Sequence, residues 1–407
     1  MPIRRQSDRA LRPATRETPR AINQQIILGL LRSHQEMSRA ELARRLGMQR
    51  SAIGRIVADL IAQGLVCEGK ARATARGRRP TILHLDSRQR CAVAVDVRVT
   101  RTFLVVTDLV GRELSTVESF PTDLDPRDFV EHLAHEVRRV LTENAGAGRC
   151  EGVGVAFPGM LDRSGDVVVQ APTLGWRDVA LRAPLAASLG LPVVMENAVK
   201  AWALAEVWSQ RGDSLTGDMV FVNVSDGVGV GVVIGGEVLR GRHNVAGEFG
   251  HLPLSVDGPR CACGAVGCWE AYVSNLATVS RYVGLTLAPG QPVPPEVARL
   301  SVEEVVARAR RGDARATTAL LSTAHYLGLG LASIVNALDP ERIYIGGEIS
   351  AAWDLIEPTV RAALAQRALV AAAADVKIVI VAAREHPRLR GASALVGAPI
   401  LGAQPPA

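Results

Sequence analysis

The sequence is poor in cysteine, poor in lysine and without long uninterrupted apolar runs. Its 407 residues hold six cysteines, of which Cys261, Cys263 and Cys268 crowd together. That is too few for a disulfide scaffold and fits a metal site in a reducing compartment. No stretch reads as the roughly 18 uncharged apolar residues of a membrane helix. Arg4, Arg5 and Arg9 near the start are not followed by an apolar signal core. Secretion and membrane insertion are therefore not expected, and a cytoplasmic location is. Lysine supplies three of the 47 basic residues and arginine the other 44, so a lysine inside a motif stands out. Hydrophobic residues make up 48% and charged residues 22%, a globular composition with ample core.

The net charge of +6 is unevenly spread. Residues 1–90 carry 19 Lys and Arg against seven Asp and Glu, whereas the remainder is acidic by six. A basic head on an acidic body points to a polyanion docking at one end, the alternative being a solvated basic tail. Within the head, Ile22, Ile26, Ile27, Leu30 and Leu31 recur at helical spacing. Ser38 with Glu41 three residues later forms a capping box for a short helix that Gly47 ends. A third helix from about Gln49 buries Ile53, Ile56, Val57, Leu60 and Ile61, and Gly64 ends it. Its other face offers Gln49, Arg50, Ser51 and Arg55, placed to reach base edges in a major groove, as in a helix-turn-helix. Leu65-Val66 and Ile82–Leu85 read as a hairpin with Lys70, Arg72, Arg76, Arg78 and Arg79 between its strands. The whole is a winged helix whose Gly77-Arg78-Arg79-Pro80 suits insertion into a narrow, electronegative minor groove of double-stranded DNA.

From Cys91 the pattern changes to apolar strands alternating with helices. Strands are expected at 92–97, 102–108, 114–120, 152–157, 193–196, 219–224, 228–234, 343–345 and 377–381. Helices are expected at 126–143, 198–210, 313–338 and 351–369. This implies α/β sheets flanked by helices. The strongest local signal is Gly247-Glu248-Phe249-Gly250-His251 followed by Cys261-x-Cys263-Gly264-x-x-Gly267-Cys268-x-Glu270. Three thiolates within eight residues and one upstream imidazole, His251, supply the four ligands of a tetrahedral structural Zn2+. The alternative is a set of buried free thiols. Such a metal would also fix the loop that carries Glu248 and Glu270.

At these residues the chain resembles the ROK family of repressors, open reading frames and kinases, in its transcriptional-regulator branch. The winged helix, Phe157-Pro158-Gly159, Glu248–His251, the cysteine cluster, Leu338-Asp339-Pro340 through Gly346-Gly347, and Gly391-Ala392 carry the resemblance. It implies an actin-like (ribonuclease H-like), two-lobed sugar-kinase-type body, dimeric or tetrameric. Zinc would sit on His251, Cys261, Cys263 and Cys268, while Asn197, Glu248, His251 and Glu270 face sugar hydroxyls. The two glutamates read alternatively as loop-end caps near the metal. The expected domains are a disordered basic arm over 1–20, the winged helix-turn-helix over 21–88, and a first lobe over 89–196 to which a C-terminal helix, 391–402, returns. A second, larger lobe over 197–390 holds the zinc loop and the oligomerisation surface.

Departures from the family's kinases favour a regulator over an enzyme. Kinases of the family carry Asn-Asp-x-Asn where this chain has Asn197-Ala198-Val199-Lys200, and Ala198 cannot act as the general base. A missing base costs about 10²–10⁴ in rate. Arg98 stands where a phosphate loop has glycine, and Asp226 would repel a γ-phosphate. Thr173 replaces an asparagine ahead of Gly175-Trp176, which also weakens the case for an ordinary hexose. Lys200, three residues from Asn197 on the same helical face, is expected either to face the cleft and select an anionic sugar derivative, or to pair with Glu196 or solvent. The reading is a DNA-binding regulator, a repressor of carbohydrate uptake or catabolism genes, acting as a homodimer or homotetramer on a pseudo-palindromic operator. A sugar kinase, or a regulator controlled by a transporter partner in place of a free sugar, are the alternatives. Replacing Arg78 and Arg79 together by Ala should weaken DNA binding broadly and flatten its salt dependence by about one unit of slope for each phosphate left unneutralised. Changes at Arg55 or Ser51 should instead relax sequence preference. Anisotropy titrations at several salt concentrations decide this, and undiminished binding by the wing variant would remove the minor-groove reading.

Overall fold

The capping box drawn from the sequence is present. Ser38 Oγ accepts from Glu41 N at 3.2 Å, and Glu41 Oε2 accepts from Ser38 N at 3.0 Å, at the start of helix Arg39–Leu46. The computed structural model describes residues 18–34, 36–69, 81–86, 89–209, 217–286 and 294–402. They divide into two units, one of residues 1–89 with 398–407 and one of 90–397.

In the first unit, helix Thr18–His34 precedes Arg39–Leu46, a left-handed Gly47 at φ 63°, and helix Arg50–Ala62. Strands Val66–Glu68 and Ile82–Leu85 pair antiparallel, and Met37-Ser38 adds to the outer edge of the second. Leu28, Leu31, Leu42, Ile53, Val57, Leu60 and Leu83 form its core. Two expectations change here. The first helix begins at Thr18, inside the expected arm, with Arg20 paired to Asp59 of the third helix. Its buried face is Ile27, Leu28 and Leu31, while Ile22 and Ile26 are exposed. The wing residues Lys70 to Pro80 and the arm before Thr18 lie outside the described residues.

The second unit holds two five-stranded sheets of the same design. In one, Arg90–Val97 and Arg101–Asp108 form a hairpin extended antiparallel by Glu118–Pro121. Arg149–Phe157 and then Val193–Asn197 add in parallel on the other side. In the other, Met219–Val224 and Val228–Ile234 form the hairpin, Glu237-Val238 extends it, and Arg342–Gly346 and Lys377–Ile380 add in parallel. Matching order and direction make this a duplication at the level of topology, two lobes facing one cleft. The third strand of the first sheet forms at Glu118–Pro121, later than the expected 114–120. A small sheet of 160–161, 167–171 and 176–180 was not foreseen. Its strands are too short to show an alternating pattern.

Helix Ala314–Leu338 corrects the expectation that nothing in the chain is long and apolar enough to cross a membrane. It passes by length and by a mean hydropathy of 1.4. That apolar length serves the core of the second lobe, where Leu320, Ala324, Leu327, Leu331 and Val335 are buried with Val222, Ile343 and Ile345.

Helix Pro387–Ile400 lies on the first sheet, with Leu389, Ala392 and Leu395 packed on Ala94, Val105 and Ala156. The approach is so close that a Cβ at Gly154 would overlap the carbonyl oxygen of Ala392. Gly154→Ala should therefore cost about 1–3 kcal/mol through overpacking, read as a lowered unfolding midpoint in thermal denaturation. An unchanged midpoint would mean that the helix can lift off without loss.

Candidate functional site

On the DNA-binding unit, Gln49, Arg50, Ser51 and Arg55 are all exposed, opposite the buried Ile53, Ile56, Val57 and Leu60 of the same helix. Gln49 occupies the N-cap but makes no side-chain capping bond, so its amide remains available. Arg78 and Arg79 fall outside the described residues.

In the body, the cleft is lined from the first lobe by Arg98, Val99 and the Pro158–Met160 turn, and from the second by Ser225–Gly227, Glu248, His251 and Glu270. Asn197 and Ala198 lie between, at the start of helix Ala198–Ser209. Asn197 has a structural duty as well. Its Oδ1 accepts from Val199 N at 3.0 Å and Lys200 N at 3.3 Å, capping the helix, and its Nδ2 donates to Gly159 O at 2.9 Å. One amide hydrogen remains for a ligand. Glu270 Oε2 accepts from Val228 N at 2.9 Å while Oε1 accepts from the Cys261 thiol at 3.2 Å. It therefore borders the cleft and also ties the second lobe's hairpin to the cysteine loop. Glu248 differs: its carboxylate has no hydrogen-bond partner among the described residues. Burial pushes its pKa up, opposed by the charges of Lys200 and His251. A half-buried carboxylate without a protein partner can accept hydrogen bonds from hydroxyls of a ligand.

His251, Cys261, Cys263 and Cys268 come together, their ligand atoms all within 4.8 Å of one another. Cys261 Sγ is 3.7 Å from His251 Nδ1, and Cys263 Sγ is 3.8 Å from Cys268 Sγ. Ligands on a tetrahedral zinc, with bonds of about 2.3 Å to sulfur and 2.0 Å to nitrogen, stand about 3.8 Å apart for two sulfurs and 3.6 Å for sulfur and nitrogen. The cluster fits a structural zinc. The loop is built for it: Gly267, at φ 74°, passes so near Ser255 O that no side chain fits, and Trp269 anchors the exit by donating from Nε1 to Tyr326 O at 2.9 Å. Burial raises the Cys261 and Cys268 thiols, Glu270 adding to the effect at Cys261, so a cation is needed to hold them as thiolates. With Nδ1 toward the thiols, the Nε2 side of His251 is left for the cleft.

Lys200 is not where the anionic-ligand reading needs it. It is 1% exposed and does not line the cleft. Its Nζ donates to Asn244 O at 2.5 Å and to Asn244 Oδ1 at 3.3 Å. The turn of helix that Asn197 caps rotates Lys200 behind the cleft wall, against the loop that precedes Glu248. Burial lowers its pKa, opposed by Glu196 and Glu248.

Another part of the cleft is occupied by charged side chains paired with one another. Asp96 lies between Arg98, whose Nε donates to Oδ2 at 2.9 Å, and Arg388, whose Nε is 3.2 Å from Oδ1. Arg98 also lies over the Phe103 ring and reaches Glu348 of the other lobe at 3.5 Å. Asn275 bridges Glu348 and Asp226 at 3.2 and 3.3 Å. Arg98 and Asp226 were singled out in the sequence. Glu348, Asn275, Arg388 and Asn244 were not, because they come from distant segments with no local motif beyond the glycines beside Glu348.

Fold and site together define a helix-turn-helix DNA-binding regulator built on a two-lobed sugar-kinase-type body. The chain belongs to the ROK family, whose model matches residues 92–398, and residues 19–79 match the MarR family model. It is 26% identical to the xylose repressor of Bacillus subtilis (strain 168) over 351 residues, covering 85% of this chain and 87% of the repressor. It is 33% identical to the glucokinase of Streptomyces coelicolor over 283 residues, covering 66% of this chain and 85% of the kinase. Among solved structures, a ROK family transcriptional regulator homologous to the E. coli MLC protein superposes with a TM-score of 0.75 at 26% identity, covering 93% of this chain and 97% of that one. Repressor relatives thus match head and body, while this kinase matches about two thirds of the chain.

Zinc analysis of the purified protein should give about one metal per chain, retained through desalting and lost in Cys263→Ser or Cys268→Ser. Full zinc content in both variants would place the metal elsewhere.

Proposed function

We propose that the protein is a cytoplasmic repressor of carbohydrate uptake or catabolism genes, without kinase activity, that binds a pseudo-palindromic operator as a homodimer or homotetramer. A sugar in the cleft releases it. The reading places Gln49, Arg50, Ser51, Arg55, Arg78 and Arg79 on DNA, zinc on His251, Cys261, Cys263 and Cys268, and the sugar against Asn197, Glu248, His251 and Glu270. The reading assigns DNA binding to the head and sugar binding to the body.

The observation that carries it is Ala198. The cleft presents hydrogen-bonding groups to a polyol, yet at this point of its floor it offers a methyl group that is 4% exposed and takes no proton. At the far end, Arg98 and Arg388 are already engaged by Asp96, and Asp226 and Glu348 add negative charge where a triphosphate would need positive charge. A body that binds a sugar but transfers no phosphate has one output left, the attached DNA-binding head. The relatives named xylose repressor make a neutral pentose the first effector to test. With Lys200 buried and engaged, the anionic effector loses its support. Release requires the sugar to bind the DNA-free state more tightly than the DNA-bound one.

The test is affinity selection of sheared genomic DNA by the zinc-loaded protein at physiological salt, repeated with D-xylose and with D-glucose. A recurrent pseudo-palindrome beside carbohydrate genes, eluted by one of the sugars, is the expected result. Retention without any motif and abolished by modest salt would overturn the operator reading. Tight sugar binding that leaves operator affinity unchanged would overturn the sugar control.

A further inference from the structure

Loop 239–247 carries the chain from the edge of the second lobe's sheet to Glu248, and one residue in it is out of the ordinary. Asn244 has φ 58°, in the left-handed region, and is only 4% exposed. A non-glycine residue held there buried costs energy and persists only where its side chain is well bound. Asn244 is bound on every side. Its Nδ2 faces Leu161 O at 3.3 Å, Asp162 O at 3.4 Å and Glu196 Oε1 at 3.4 Å, all from the first lobe, and its own oxygens receive Lys200 Nζ. Glu196 in turn accepts from Arg240 Nε at 3.1 Å, at the other end of the same loop, and from Asn197 N at 2.9 Å.

Lys200 is the central member. A buried ammonium gives up its hydration and is kept only where its partners replace it. Here it replaces a small amide of the related Asn-Asp-x-Asn motif and reaches across to a backbone carbonyl that no aliphatic side chain could satisfy.

We propose that Lys200 is a positioning residue for the sugar site: through Asn244 it fastens loop 239–247 and so delivers Glu248 to the cleft without touching the ligand. The inference rests on the sugar-binding reading of Glu248. The fastening has a readout that needs no sugar.

Hydrogen exchange of the full-length, zinc-loaded protein is compared for wild type, Lys200→Met, Lys200→Arg and Asn244→Gly. In Lys200→Met and Asn244→Gly the amides of residues 239–248 should exchange about tenfold faster or more, the loss expected of a charge-assisted hydrogen bond, with the cysteine loop unchanged. Lys200→Arg, which keeps a cationic donor, should stay within about twofold of wild type. Calorimetric titration with D-xylose and D-glucose should follow the same order: about tenfold weaker binding for Met and Gly, and near-native binding for Arg. Operator affinity without sugar should stay near native in all. Unchanged loop exchange in Lys200→Met, or an Arg variant as impaired as Met, overturns the fastening. If Lys200→Met does not fold, Asn244→Gly against Lys200→Arg decides it. If wild type binds neither sugar, the sugar reading fails, and the exchange data alone still decide whether Lys200 holds the loop.

Discussion

Helix Ala198–Ser209 lies against both lobes at once only because glycine meets it from several directions. A Cβ on Gly231 would stand 2.8 Å from Val199 O, one on Gly391 would stand 2.5 Å from the carbonyl carbon of Ala201, and one on Gly346 would stand 2.9 Å from the Trp202 ring. The second lobe's hairpin and the C-terminal helix therefore close on this one helix at backbone distance, and the parallel strand closes on its Trp202 ring. Eight of its twelve residues are buried, Lys200 among them. Much of the site follows from that packing. The helix start must be capped by Asn197, whose position at the cleft floor is thereby fixed. The third residue of the helix has no route to solvent, so a lysine there must find its partners inside.

The same geometry separates the cleft into two chemical regions. Near the helix start stand the amide of Asn197 and the carboxylates of Glu248 and Glu270, with the metal cluster directly behind them. Beyond Ala198, Asp96 pairs with Arg98 and Arg388, Arg98 reaches Glu348, and Asn275 bridges Glu348 and Asp226. In the proposed reading the first region receives the hydroxyls of a polyol. In the second, a phosphate would have to compete with the ion pairs made by Arg98 and Arg388, at little net gain.

What the sequence showed and what it hid divide along the distance over which each feature is determined. The helix-turn-helix was legible because a capping box, two glycine stops and an apolar stripe are local. The cysteine cluster was legible because its ligands lie within 18 residues of one another. The placement of Lys200 was not. Helical spacing from Asn197 gives a shared face only when one side of the helix is free, and here packing on several sides removes that choice. Ile22 and Ile26 misled for the opposite reason: their spacing announces a buried face, yet they are exposed. The ion cluster joins residues 96, 98, 226, 275, 348 and 388, and no window of sequence contains it.

Two sets of polar bonds cross between the lobes, one at each end of the cleft. Asn244 of the second lobe holds Leu161 and Asp162 of the first, and Arg98 of the first reaches Glu348 of the second. Each crossing, at 3.3–3.5 Å, is polar and partly or fully buried, so it is directional: a small change in the angle between the lobes breaks it, whereas apolar packing would slide. A ligand seated between them need not force the lobes together or apart to be felt. It has only to favour one set of crossing bonds over its broken alternative, and a difference of about 1–3 kcal/mol suffices for a five- to 150-fold change in affinity elsewhere in the chain. That is the strength of one or two charge-assisted hydrogen bonds, the kind of interaction by which Lys200 holds Asn244.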